Sequence, residues 1–156
     1  QKVLEIKQLN SKIKWDAYDI LAHASLKIND SLSAKKAFKV LEKSPIDELA
    51  AEAYYFDAYH FFLIKDYKKS NEIIADLSQK FSNQPIWAAK SLLLMAKNFY
   101  SLEDPFQASY ILESLMENYS QFEELSIKAK SLLFEIRQKE SQQNASLSKT
   151  KDDADL

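Results

Sequence analysis

Few side chains in this chain could move protons or bind a metal. His23 and His60 are its two histidines, and cysteine is absent. Without cysteine there is no disulfide, thiol nucleophile or thiolate metal site. The histidines fall at non-equivalent places in successive segments of the chain, so each reads as a packed or solvated residue rather than a base or ligand. Carboxylates occur in adjacent pairs at Asp47-Glu48, Glu123-Glu124 and Asp152-Asp153. Adjacent residues point apart on a helix, so the first two pairs read as partners for positive helix N-termini. The third pair reads as a solubilising feature of a polar end. No Ser-His-Asp, metal or phosphate-binding constellation is visible. The residues therefore predict no enzyme, no cofactor, no metal and no small-molecule substrate.

Composition narrows the class further. The chain has 156 residues, 46% hydrophobic and 28% charged, which suits one globular domain rather than disorder. A net charge of −2 supplies no basic field for nucleic acid or an anionic membrane surface. No apolar run approaches the roughly 18 residues needed to span a bilayer. Glycine is absent and proline occurs only at Pro45, Pro85 and Pro105. Strand-and-turn folds need positive-φ residues and common nucleotide loops need glycine itself, so the expectation is all-α. Position 1 is Gln with no signal-like segment after it, which suggests a processed protein or an excised fragment.

The elements that would position any site repeat along the chain. Small residues at Ala22, Ala58 and Ala96 each precede an Asp, at Asp30, Asp66 and Asp104, with spacings of 36 and 38. Further small residues follow at Ala34, Ser70 and Ala108, then Phe38, Ile74 and Leu112, then Leu41, Leu77 and Leu115. A fourth echo, Ala129-Lys130-Ser131-Leu132-Leu133, nearly copies Ala89-Lys90-Ser91-Leu92-Leu93. Such a period marks stacked helix pairs, each too small to bury its apolar face alone. Asp104-Pro105 reads as an N-cap followed by proline at the first helical position, and Ser120 to Glu123 as a capping box.

The stretch Ala51-Glu52-Ala53-Tyr54-Tyr55, with Ala58, Phe61, Asp66-Tyr67, Ser70, Ile74 and Leu77, resembles a tetratricopeptide repeat. The resemblance covers roughly residues 15–136. It departs from the family where Ala stands at the helix crossing and Asn, Lys and Glu precede the turns, and Tyr67 becomes Ser31 and Pro105 in the other copies. It implies an α-solenoid of about three repeats. The expected map is a leading helix at 2–9 with Val3, Leu4, Ile6 and Leu9 as half a repeat. Pairs follow at 13–28 with 31–43, 47–64 with 67–81, and 86–101 with 105–118, and a capping helix at 122–140. Residues 141–156 read as a polar tail on a 1–140 repeat domain, with two alternatives for it: the last helix continues outward, or another element holds it.

In that family the first helix of each pair lines a concave groove, so the helix at 47–64 carries the functional expectation. Tyr54, Ala58 and Phe61 share a stripe toward the partner helix. Tyr55, Tyr59 and Phe62 form a second stripe about 100° away. The second stripe either packs against neighbouring first helices or offers an outer edge to a partner protein. Equivalent groove positions are Asp16, Asp19, His23 and Lys27 on one side, and Lys90, Leu93, Lys97 and Tyr100 on the other. The resemblance thus implies a groove running from acidic through aromatic to basic, which would orient a partner segment. Asp16, Asp19, Tyr55 and Tyr59 occupy the space where some members carry a basic clamp for a chaperone's C-terminal carboxylate, which argues against that use. Residues 87–97 with 104–115 resemble the C-terminal repeats of long arrays in Bacteroidetes-type bacteria, favouring an envelope or secretion assembly over the cytoplasm. The alternative is a structural end of a longer array that joins subunits without a dedicated peptide groove.

Overall fold

A computed structural model describes the backbone of residues 2–152 and the side chains of residues 12–142. Among the described residues the chain is all-helical, with helices α1 (Lys2–Lys27), α2 (Ser31–Leu41), α3 (Asp47–Leu63), α4 (Tyr67–Lys80), α5 (Pro85–Ser101), α6 (Pro105–Asn118) and α7 (Glu123–Asp152). The all-α expectation holds. No helix among the described residues is long and apolar enough to cross a membrane.

The same amphipathic pattern builds α2, α4 and α6. Their buried residues are Ala34, Ala37, Phe38 and Leu41; Ser70, Ile73, Ile74 and Leu77; and Ala108, Ile111, Leu112 and Leu115. Each set follows the i, i+3, i+4, i+7 spacing of one helix face. Full burial of Leu41, Leu77 and Leu115 contributes about 2 kcal/mol apiece. Ala22, Ala58 and Ala96 have no exposed surface, consistent with small residues where helix axes approach closely.

One turn recurs three times. Asn29, Lys65 and Glu103 adopt left-handed φ values of 59, 64 and 62°. The next residues, Asp30, Asp66 and Asp104, donate their backbone N–H to the carbonyls of Ser25, Phe61 and Phe99 at 2.8, 2.9 and 3.0 Å. That bond closes a Schellman-type helix end. The Asp carboxylates then accept the N–H of Ser33, Lys69 and Gln107 at 3.0, 3.1 and 3.0 Å, capping the next helix. Pro105 follows its cap at the start of α6, as expected. The positive-φ position is where glycine is easiest to place, yet none of the three turns uses it.

The chain divides into two compact units, residues 1–88 and 89–156, with α5 shared at the division. In the first unit α1 packs on α2, α2 on α3 and α3 on α4; in the second α6 packs on α7. Among the described residues the first unit shows two apolar clusters. One joins Trp15 and Ala22 of α1 to Phe38 and Leu41 of α2 and Ala53 of α3. The other joins Ala50 and Ala51 to Leu77, Phe81 and Trp87.

Three sequence expectations need correction. The leading helix and the helix at 13–28 are one continuous α1, so the expected half repeat is not a helix of its own. Residues 10–12 contain neither glycine nor proline, and nothing there stops propagation. The last helix does not end at 140 but runs through the polar segment to Asp152. Ser120 does not cap it, because α7 begins at Glu123 with Phe122 before it. The side chains of Val3, Leu4, Ile6 and Leu9, and the whole of Asp153 to Leu156, lie outside the described residues.

Candidate interaction site

Helix α3 carries six aromatic residues between Tyr54 and Phe62, so no face of it is simply polar. Its faces have separate tasks. Toward the end of α4 Tyr54 meets Phe81 edge-on, with ring centroids 5.4 Å apart, and toward α2 Phe56, about 200° further round the helix, stacks on Phe38 at 4.2 Å. Lys80 Nζ donates to the Tyr54 hydroxyl at 2.8 Å and sits 4.6 Å from the centre of its ring. These contacts tie α3 to α2 and to the end of α4.

Between these two directions Tyr55, Tyr59 and Phe62 recur at i, i+4 and i+7 and form a row. Tyr55 and Tyr59 lie with centroids 6.4 Å apart and planes 11° apart; Tyr59 and Phe62 follow at 5.9 Å and 23°. The row is extended at both ends, by Trp87 at 5.6 Å from Tyr55 and by Tyr67 at 5.8 Å from Phe62. Burial deepens toward Trp87, which is 7% exposed, whereas Tyr59 is 40% exposed. Burial, with a smaller contribution from Tyr59, pushes the Tyr55 hydroxyl above its ordinary pKa and keeps it neutral. The row is therefore rooted in the core at one end and open to solvent in its middle.

Asp19 and His23 lie one turn apart on α1. His23 Nε2 stands 3.2 Å from Asp19 Oδ1 and 3.2 Å from Glu52 Oε1, so the imidazole links α1 to α3. Phe38 meets the His23 ring edge-on at 6.1 Å. The remaining sequence candidates belong to the second unit. Lys97 is exposed. The positive charge of Lys90 reaches Glu124, whose carboxyl is held below its ordinary pKa chiefly by its bond to Lys128. Tyr100 is half-buried, with Lys139 Nζ 5.2 Å from its ring centre, and lines a cavity of about 690 Å³ together with Glu103, Pro105 and Ile136.

The chain matches no protein-family model, no curated protein and no solved structure. The site therefore stands on its own geometry. Of the sequence candidates, the structure brings Tyr55, Tyr59 and Phe62 into one row, and Asp19 and His23 into one cluster. Sequence reasoning missed Trp87, Tyr67 and Glu52. Glu52 was within reach, because it lies 36 residues after Asp16 and so occupies the same repeat position as a residue already placed in the groove. Trp87 and Tyr67 approach the row from outside α3, and no periodicity within that helix points to them.

Proposed function

We propose that this chain is a non-catalytic protein-interaction module that holds a partner segment against the aromatic row of α3. One observation carries the reading: Tyr55, Tyr59 and Phe62 stack as a continuous row whose centre, Tyr59, stays 40% exposed. Rigid aromatic rings bury large area with little loss of side-chain freedom, and such residues dominate binding hot spots. A partner segment with apolar side chains one helical turn apart would match the spacing of the rings. Three copies of one turn and one buried pattern support reading the helices as tetratricopeptide-like pairs in a solenoid. The near-neutral charge supports a protein partner over nucleic acid.

A second reading has its own observation. Ile13, Ile20, Leu21 and Ile28 of α1 and the turn after it are 56, 68, 47 and 75% exposed. An apolar helix face of that kind suits a joint with another helical unit, as in an array whose surface only joins subunits. One experiment separates the two. Partners crosslinked in the native cell are identified, and their affinity is measured for the unaltered chain, for Tyr59→Ser with Phe62→Ser, and for Ile20→Lys. The first reading expects the double variant to lose at least about 30-fold in affinity with helicity unchanged, as for a hot-spot pair. Capture that survives the double variant but fails with Ile20→Lys replaces it with the second.

A further inference from the structure

We infer that Asp19, His23 and Glu52 form a binding site for a divalent first-row transition ion, with Zn²⁺ the best fit. Their ligand atoms, one from each residue, lie within 4.8 Å of one another. Asp19 and His23 reach the point from consecutive turns of α1, and Glu52 reaches it from α3.

Hydrogen bonding leaves one oxygen of this cluster, on Asp19, without a donor. Asp19 Oδ1 is shut off from solvent and accepts no hydrogen bond among the described residues, although His23 Nε2 stands only 3.2 Å away. The approach has the distance of an ion pair without the direction of a donated proton. A single ring nitrogen also faces two carboxylate oxygens, and in its neutral form it has at most one proton to give. Both separations, 3.2 Å, exceed the roughly 2.7–2.9 Å of a charge-assisted bond.

Metal coordination accounts for the same distances. Bonds of about 2.0–2.2 Å from Zn²⁺ to nitrogen and oxygen place tetrahedral ligand atoms roughly 3.3–3.5 Å apart. The two edges that share His23 Nε2 are close to that spacing already. Two carboxylates and a neutral imidazole carry a charge of −2, which one divalent ion balances. One nitrogen with two oxygens suits Zn²⁺, Co²⁺ or Ni²⁺ better than Ca²⁺ or Mg²⁺, which take oxygen ligands. The side chains of His23, Asp19 and Glu52 are 47, 33 and 16% exposed, so the cluster is backed by protein and open enough for water to complete the coordination. Phe38 against the His23 ring helps to hold its orientation. Because the ligands come from both α1 and α3, the ion would clasp the two helices across their shared apolar cluster.

The test is calorimetric titration of Zn²⁺ into the untagged full chain after removal of metal with EDTA, in a buffer that does not chelate. One ion is expected to bind per chain with Kd of roughly micromolar order and to raise Tm by about 5 °C when Zn²⁺ stands at a hundred times Kd. Glu52→Gln and Asp19→Asn, which keep shape and remove charge, are each expected to weaken binding at least tenfold. His23→Ala is expected to abolish it. His60→Ala is expected to change nothing, because His60 Nε2 sits 3.2 Å from the Lys35 ammonium group, a poor place for a cation. Co²⁺ in place of Zn²⁺ is expected to give visible d–d absorption of a low-symmetry site. Absence of saturable binding below about 1 mM, or equal affinity in Glu52→Gln, overturns the assignment. If His23→Ala loses helicity, the Glu52→Gln and Asp19→Asn titrations decide it alone.

Discussion

Two kinds of region recur in this molecule, and they behave oppositely. The turns after α1, α3 and α5 share dihedral angles, helix-closing bonds and cap distances to within a few tenths of an ångström. The exposed face just upstream of each turn does not repeat. Positions 19 and 23 of α1 are Asp and His in a polar cluster, whereas the positions 36 residues later, Tyr55 and Tyr59 of α3, are stacked rings. The difference follows from what each region must satisfy. A helix end has to place one residue at positive φ and to satisfy orphan N–H and carbonyl groups, and few arrangements do both. A half-exposed face has no such obligation, so its chemistry is free to serve recognition. Frame and face can thus be separated by mutation.

The largest expected effect lies in the frame. Leu77→Ala opens a cavity beneath a fully buried side chain and is expected to lower stability by about 2–5 kcal/mol, read from urea unfolding. Tyr59→Ser, at a residue that is 40% exposed, is expected to lower it by no more than about 1 kcal/mol. If the Tyr59 substitution destabilises as much as the Leu77 one, the row is core rather than face, and the contrast between the two regions fails.

Much of the frame was legible in the sequence, and the reason is geometric. Small residues at Ala22, Ala58 and Ala96, and leucines at Leu41, Leu77 and Leu115, are buried because helix crossings admit only certain volumes, so their spacing survives as a repeat. Helix ends without a stereochemical stop were not legible. Residues 10–12 interrupt the apolar pattern without interrupting the helix, and residues 141–152 are helical without an apolar face to announce it. Apolar period reports burial, whereas helicity needs only residues that tolerate the conformation. The candidate site was half legible. The row Tyr55, Tyr59 and Phe62 lies within one helix and obeys its period. The meeting of His23 with Glu52, and of Tyr55 with Trp87, joins separate helices, so only the repeat register could hint at the first and nothing local pointed to the second.

A smaller effect tests whether the three turns are one design. A non-glycine residue at positive φ costs about 1–2 kcal/mol, and glycine returns roughly 0.5–1 kcal/mol of that as added freedom in the unfolded chain. Lys65→Gly and Glu103→Gly are therefore each expected to stabilise by about 0.5–1 kcal/mol. Asn29→Gly is expected to gain less, because Asn already tolerates the left-handed region. Equal gains at all three positions, or a loss at Lys65, would show by urea unfolding that side-chain contacts rather than backbone strain set the turns apart.

The smallest effect concerns acid. The Asp30 carboxylate lies below its ordinary pKa of 3.8, chiefly because the Ser33 side chain and backbone N–H donate to it. A group whose folded pKa is depressed adds stability above its unfolded pKa and loses it as pH falls through the folded value. The contribution of Asp30 is thus complete above about pH 5 and declines below about pH 4. Asparagine caps a helix as well as aspartate does but does not titrate. Asp30→Asn is therefore expected to leave stability at pH 7 little changed and to flatten its decline between pH 4 and 2, measured as the urea midpoint across that range. An unaltered acid limb would mean that the Asp30 cap is not what ties the first turn to pH. The cap would then serve through its hydrogen bond alone, which the asparagine side chain supplies equally well.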